Sequence, residues 1–487
     1  MKRIMRYLAF VCFLLTSAYC SAQTGYNFKF KVSGWKDTTV YLGHYYGESH
    51  YIKDTAHVSA SGEFVFDNKK ALDQGVYFLV LNKSKIFEFL VGSNQRFTMD
   101  TKEEDYIKNM KTSDPDNKLF FENMLFNMER HKEAEPLLKV LQDSTLTEDQ
   151  KKDARADFNK INDKVMAYQA EIIAKHPKTL TATIFKSNTA VKIPDAPKKA
   201  DGSIDSTFQL RWYREHFFDN FDLSNDAFIR MPRPVYREKL KEYTTKLFVP
   251  QADSVVKAVD KVIALAKKNK ETYKYSVFVF IQEYQQPEIM GLDAVFVHLY
   301  DKYFATGEMD YWATSLKKTL KEHAERLRKS MIGKVGPNLI MQDANFKPRS
   351  MYDIKNKYTI LYIFDPDCGH CKVETPKLAD FYKQNKAKFD IEVYAVSTDT
   401  SMAKMREYIK KMDMKWITVN GPRTYVGPHS DLYDSPTTPT LYVLDDKKKI
   451  IAKKVPVESL AEFFTNYEKF LKARAANQAK PKTPAKT

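Results

Sequence analysis

Only four cysteines occur in 487 residues, and two of them, Cys12 and Cys20, lie within the first twenty positions. The other two, Cys368 and Cys371, are separated by Gly369-His370. A bridge across two residues closes so small a loop that it adds little stability, so no disulfide scaffold can hold this chain together. It must fold by burying apolar surface, and its length allows several cores. A chain using cysteine as a staple would carry several, at scattered positions. One close pair marks sulfur kept for chemistry.

The first residues set the expected compartment. Lys2, Arg3 and Arg6 precede an apolar run from Tyr7 to Ala18, and Cys20-Ser21-Ala22 offers a cleavage point before Gln23. This is the layout of an export signal, so residues 1–22 are expected to be a signal peptide and the mature chain to reach the periplasm or cell envelope. The run is about a dozen residues, short of the ~20 that a spanning helix needs. Lipid attachment through Cys20 is the alternative route and would leave a lipid tether, although bulky Tyr19 stands where a lipoprotein site wants a small residue. The formal net charge is +16. Its lysines are spread over the helical region, the last domain and the tail, with none of the clustered basic face that nucleic-acid binding needs. Nucleic acid is not an expected partner, and the charge reads as solvated helix faces.

Composition divides the rest. From 23 to 104 short runs rich in β-branched and aromatic residues, such as Thr39-Val40-Tyr41-Leu42 and Val76-Tyr77-Phe78-Leu79-Val80, alternate with turn residues, predicting an all-β sandwich. His44, His50 and His57 in this stretch have no partner at ligand spacing. From 105 to 330 the period is helical and predicts an α-helical domain, with Thr147-Glu148-Asp149-Gln150 as a capping box. Trp212-Tyr213 and Phe217-Phe218 read as helix-packing residues in preference to a ligand groove. From 331 to 474 strand and helix alternate, predicting an α/β domain with strands at Tyr358–Phe364, Asp390–Ser397, Lys415–Val419, Thr440–Leu444 and Lys449–Lys453. Residues 475–487, rich in Ala, Lys, Pro and Gln, are expected to be a disordered basic tail.

The apolar strand, Asp365-Pro366-Asp367 and the cysteine pair together place Cys368 at a helix N-terminus. Unpaired amides and the helix dipole there favour a thiolate, and protonated His370 would add to the effect. Cys371, one turn on, can attack a mixed disulfide and release the partner. Cys368 is thus the expected nucleophile and Cys371 the resolving thiol. Zinc would want four ligands, and no second Cys-x-x-Cys is present. Copper(I), held by two thiolates and a histidine, is the other metal use weighed. No metal and no cofactor is expected.

The segment Phe364 to Pro376, Phe-Asp-Pro-Asp-Cys-Gly-His-Cys-Lys-Val-Glu-Thr-Pro, resembles the active-site region of thioredoxin-fold thiol–disulfide oxidoreductases of the TlpA/ResA type. Pro436-Thr437-Thr438-Pro439-Thr440 is similar to the loop that faces the dithiol in that fold, and the resemblance spans most of Val335 to Lys472. It implies a cis Thr438-Pro439 peptide that helps dock a partner's backbone, Glu374 as an active-site acid able to relay protons, and Pro376 as the residue that bends the helix. Two features depart from the pattern. Asp367 replaces the usual aromatic residue and should raise the Cys368 pKa. The dipeptide Gly-His is that of protein disulfide isomerase. The domain-wide resemblance favours reduction or isomerisation of protein disulfides over oxidation, with disulfide-containing exported proteins as substrates and a membrane or periplasmic electron donor. Upstream, Asp54-Thr55, Ser61-Gly62-Glu63-Phe64 and Gly75-Val76-Tyr77 resemble the β domain that precedes thioredoxin modules in exported bacterial proteins, and the helical middle resembles their spacer. Peroxide reduction is disfavoured, because Asp365 stands where a peroxidatic cysteine has Thr or Ser three residues earlier. The alternative of another class is an envelope binding or scaffold protein with a redox-inactive thioredoxin-like domain.

Overall fold

The computed structural model describes residues 25–478. The expected export signal, with Cys12 and Cys20, and the end of the expected basic tail lie outside them. The chain forms two compact units. One takes the residues up to Phe248 with Ala258–Ser276, the other Val249–Lys257 with the chain from Val277. The 105–330 helical stretch, one region by composition, is therefore divided between them.

In the first unit, β1 (Tyr26–Ser33), β4 (Glu63–Asn68), β7 (Arg96–Lys102) and β8 (Lys111–Thr112) make one sheet, in the order β4-β1-β7-β8. β2 (Thr38–Tyr46), β3 (Ser49–Val58), β5 (Gly75–Leu81) and β6 (Ser84–Val91) make another, in the order β3-β2-β5-β6. Alternation sets the inward faces: in β1, Phe28, Phe30 and Val32 are buried while Lys29, Lys31 and Ser33 are exposed. They share one cluster with Val40, Leu79 and Phe89 of the second sheet.

The helices that follow are α1 (Pro115–Gln142), α2 (Glu148–Lys175), α3 (Leu180–Ser187), α4 (Phe208–His216), α5 (Val235–Lys246), α6 (Ala252–Ala266) and α7 (Lys270–Tyr284). Thr147 and Gln150 form the reciprocal capping box at the start of α2. Phe217 is buried and packs on Tyr243 at 5.2 Å, a helix-packing contact, while Phe218 also borders a cavity.

The second unit contains α8 (Asp293–Leu299) and α9 (Thr314–Lys329), then a seven-stranded sheet. Its strands are β9 (Ile340–Asp343), β10 (Pro348–Ser350), β11 (Tyr358–Phe364), β12 (Ile391–Ser397), β13 (Ile417–Asn420), β16 (Thr440–Leu444) and β17 (Ile450–Lys453). β14 (Arg423–Thr424) and β15 (Gly427–Pro428) form a separate small hairpin. The sheet order is β10-β9-β13-β12-β11-β16-β17. Central β11 is parallel to β12 and antiparallel to β16. All seven of its residues are buried, as an apolar run covered on both faces requires. α10 (Gly369–Phe389), α11 (Met402–Lys411) and α12 (Leu460–Gln478) complete the unit. α12 runs four residues beyond the expected end at Arg474, through Ala475, Ala476, Asn477 and Gln478, where the alanines and glutamine are good helix formers. Among the described residues no helix is long and apolar enough to cross a membrane.

Buried charge ties α8 and α9 to the sheet. Lys453 on β17 pairs with Asp293 on α8, both almost fully buried. Asp434, 2% exposed, is ringed by His323 and Arg326 of α9 at 3.6 and 3.8 Å and by Lys454 at 3.9 Å. Burial opposes its ionisation, but the His323 ring, Lys454 and Lys453 hold its carboxyl below the usual range. The Asp434 carbonyl accepts the Tyr442 hydroxyl at 2.7 Å, so the loop that leads to Thr438-Pro439 is pinned at its start. Lys453→Ala strands the Asp293 carboxylate, and calorimetry should show the second unit losing about 3–5 kcal/mol, with most of it restored in the Asp293→Leu/Lys453→Met double variant. Equal losses in the single and double variants would contradict this reading of the pair.

Candidate active site

β11 ends at Phe364, and Asp365-Pro366-Asp367 turns the chain into α10, of which Cys368 is the N-cap. Asp365 shapes the turn. Its carboxylate accepts the Asp367 N–H at 2.8 Å and its carbonyl accepts the Cys368 N–H at 3.2 Å. The Cys368 sulfur therefore stands at the end of the helix whose first amides have no partner within it. Cys371 sits one turn along on the buried face, 0% exposed, where the Asp365 N–H reaches its sulfur at 3.5 Å. Both cysteines are free thiols.

The two environments push the sulfurs apart. Partial burial works against the Cys368 thiolate, but the Cys371 backbone N–H, Thr438, the Cys371 thiol and the His370 backbone N–H outweigh it. The thiol ends below its ordinary value. Burial dominates at Cys371, and its thiol is pushed up to about 12. Opposite the pair, the Thr438-Pro439 peptide is cis, and the Thr438 carbonyl accepts the Cys368 S–H at 3.3 Å. Cys368, Cys371 and the Thr438-Pro439 peptide thus come together.

Three side chains set the charge around the pair. His370 is exposed, and its backbone N–H is among the groups that lower the Cys368 pKa. Asp367 does not act as a free anion beside Cys368. Lys404 on α11 holds its carboxylate at 2.7 Å and that of Asp399 at 3.0 Å, which neutralises it locally. Glu374 accepts from Lys377 at 2.6 Å, an i,i+3 pair on α10 legible from helical spacing alone. It also lies near enough to the buried Tyr362 phenol to raise its pKa.

Sequence reasoning passed over a group beneath the pair. Tyr362, Thr375 and Tyr408 are buried, and their hydroxyls form a chain, Tyr362 to Thr375 at 2.9 Å and Thr375 to Tyr408 at 2.9 Å. Only Thr375 is close to the motif in sequence, and a buried tyrosine looks like any other core aromatic. Among the described residues no group of three or more His, Cys, Asp and Glu side chains could hold a metal.

In reduced protein at pH 7, alkylation followed by peptide mass analysis should label Cys368 quickly and leave Cys371 largely unmodified. The Cys368 rate should reach its plateau at a lower pH than an ordinary thiol of about 8.5. Comparable labelling of both sulfurs would contradict the asymmetry.

Residues 332–453 match the AhpC/TSA family. The thiol-disulfide oxidoreductase ResA of a Bacillus cereus strain is 25% identical over 126 residues, covering 26% of this chain and 70% of the relative. Its counterpart in Bacillus subtilis is 27% identical over 119 residues, covering 24% and 64%. A solved domain of a possible thiol-disulfide isomerase from Cytophaga hutchinsonii is 40% identical, covering 29% of this chain and 97% of that one, with a TM-score of 0.28. By the matched residues and the dithiol they contain, the C-terminal part of the chain is a thioredoxin-like domain of the AhpC/TSA family, and the protein is a thiol–disulfide oxidoreductase of the TlpA/ResA type.

Proposed function

We propose that the protein is exported to the periplasm, or tethered by lipid in the cell envelope, and there reduces or isomerises disulfides of other exported proteins through its Cys-Gly-His-Cys dithiol. The observation that carries this reading is the opposed pair of sulfurs: one reachable and held below the ordinary thiol pKa, one sealed and raised to about 12. The Cys368 thiolate attacks a partner disulfide. That S–S bond breaks, a mixed disulfide forms, and the departing partner sulfur takes up a proton. Cys371 then attacks the Cys368 sulfur, the Cys368–Cys371 bond forms, and the second partner sulfur leaves as a thiol. Two electrons pass from the pair to the partner, and a membrane or periplasmic dithiol donor restores the reduced state. Isomerisation is the same first step, with the partner's own thiol releasing Cys368.

The surroundings suit a protein partner. A side chain at Gly369 would meet nothing within 4 Å, and Val373 on the same helix is an apolar side chain 59% exposed. Thr438 and Pro439 are assigned to docking the partner's backbone, Glu374 to proton transfer at the dithiol. A redox-inactive scaffold is not favoured, because the dithiol and the loop facing it are both intact.

Wild-type protein should reduce insulin with dithiothreitol as donor, and Cys368→Ser should fall to the uncatalysed rate. Cys371→Ser should accumulate covalent complexes with envelope proteins that dissolve on reduction. Equal insulin reduction by wild type and Cys368→Ser would rule out the dithiol as the active group.

A further inference from the structure

The resolving sulfur has a difficulty that the exposed one lacks. A thiol pushed to about 12 is almost entirely protonated at neutral pH, yet only the thiolate attacks. Its proton must leave a site from which solvent is excluded, and Glu374, the acid assigned to proton transfer at the dithiol, has its carboxylate engaged by Lys377 at 2.6 Å. The hydroxyl chain of Tyr362 on β11, Thr375 on α10 and Tyr408 on α11 lies beside Cys371, whose sulfur shares one packed cluster with both tyrosines. Phe364 stacks on Tyr408 at 5.0 Å and on Tyr362 at 5.8 Å, which fixes both phenol rings. Either oxygen can be the donor in each of the two bonds. Three hydroxyls carry three hydrogens, so two bonds always leave one O–H over, and in the two head-to-tail arrangements it sits on Tyr362 or on Tyr408. Tyr408 also borders a cavity of about 140 Å³ with Asp367, Lys372, Lys404 and Glu407. Such a chain can take a hydrogen at one end and release another at the far end.

We propose that the Tyr362–Thr375–Tyr408 chain takes the proton of Cys371 during the resolving step, passes one out at the Tyr408 cavity, and then donates a hydrogen bond to the thiolate it has created. This rests on the thiol-exchange reading of the site. The Cys371 S–H bond breaks and its hydrogen enters the chain, each hydroxyl handing one on, and one hydrogen goes to solvent in the cavity. The Cys371 electron pair forms the bond to Cys368 while the Cys368–partner bond breaks, and the partner sulfur carries off that electron pair and is protonated from solvent. Besides the two phenols, the titratable groups set around this centre include Cys368 and Glu374 on α10 and Asp365 in the turn before it, and Asp367, Lys372, Lys404, Glu407 and Lys411 line the cavity at its Tyr408 end.

The test adds oxidised glutathione to the reduced full-length protein and follows the glutathionylated Cys368 by acid quench and mass measurement between pH 6 and pH 10. Tyr408→Phe and Thr375→Val should prolong this adduct about tenfold at pH 7, the size expected for losing a hydrogen bond to a charged group. The gap should close as rising pH lets hydroxide remove the proton. Thr375→Ser, which keeps the hydroxyl, should resolve at the wild-type rate, and the formation of the adduct should be unchanged in all three. Either of the first two variants suffices if the other fails to fold. Adduct lifetimes equal to wild type at every pH, or Thr375→Ser as slow as Thr375→Val, would overturn the relay while leaving thiol exchange intact. Failure of the wild type to form the adduct at all would overturn both.

Discussion

The start of α10 imposes the requirement that the rest of the second unit serves: two sulfurs one turn apart must live in different dielectrics. A helix N-terminus supplies unpaired amides only along its opening turn, so the nucleophile has to be the N-cap or close to it. A residue three positions on falls on whichever face the helix turns toward the sheet. Because β11 is buried along its whole length, that face is sealed, and Cys371 loses the solvation that Cys368 keeps. The same burial that raises Cys371 to about 12 prevents it from competing for partners. At neutral pH it stays protonated, so it does not attack a partner ahead of Cys368.

Charge near the nucleophile is handled by pairing. Asp367 would oppose a thiolate next to it, yet Lys404 bridges it to Asp399, and the loss is confined to an exposed triad that keeps a single net negative charge. Such surface pairs contribute little to stability. Their effect here is local, because they screen an unfavourable neighbour from a group that must ionise. Glu374 is treated alike by Lys377. The thiolate therefore depends on backbone donors and on the Thr438 side chain, groups whose polarity does not change with pH.

Much of this was legible in the sequence, for identifiable reasons. Tyr358–Phe364 and Thr440–Leu444 appear with the ends expected, because a central strand covered on both faces is an unbroken apolar run. The dithiol and the Thr-Pro loop were found because local order is what a motif records. β9 and β10 were missed, since Gln342, Asp343, Lys347 and Pro348 give neither alternation nor an apolar run. The hairpin of β14 and β15 is only two residues a side. Asp367 was misjudged because its partner, Lys404, is 37 residues away on another element. The Tyr362, Thr375 and Tyr408 hydroxyls meet only once β11, α10 and α11 are packed, and nothing in the spacing of 13 and 33 residues announces that.

Composition also puts the edge of the reactive domain at residue 331, where helices give way to alternating strand and helix, and the physical unit does not stop there. The Ser330 hydroxyl accepts the Asp434 N–H at 3.3 Å, and Lys329 donates to the Asp431 carbonyl at 3.0 Å. His323 and Arg326 surround the Asp434 carboxylate, and Asp293 answers Lys453. Cutting the chain at 331 would remove the Arg326 guanidinium and the His323 ring that face a buried carboxylate and take from buried Lys453 the carboxylate it pairs with, the latter a cost of several kcal/mol. Asp434 lies four residues before Thr438, whose carbonyl meets the Cys368 sulfur, so those losses would fall on the segment that frames the dithiol. The helices ahead of the α/β domain thus have a physical task that composition does not reveal: they carry counter-charges that hold the loop opposite the active sulfur.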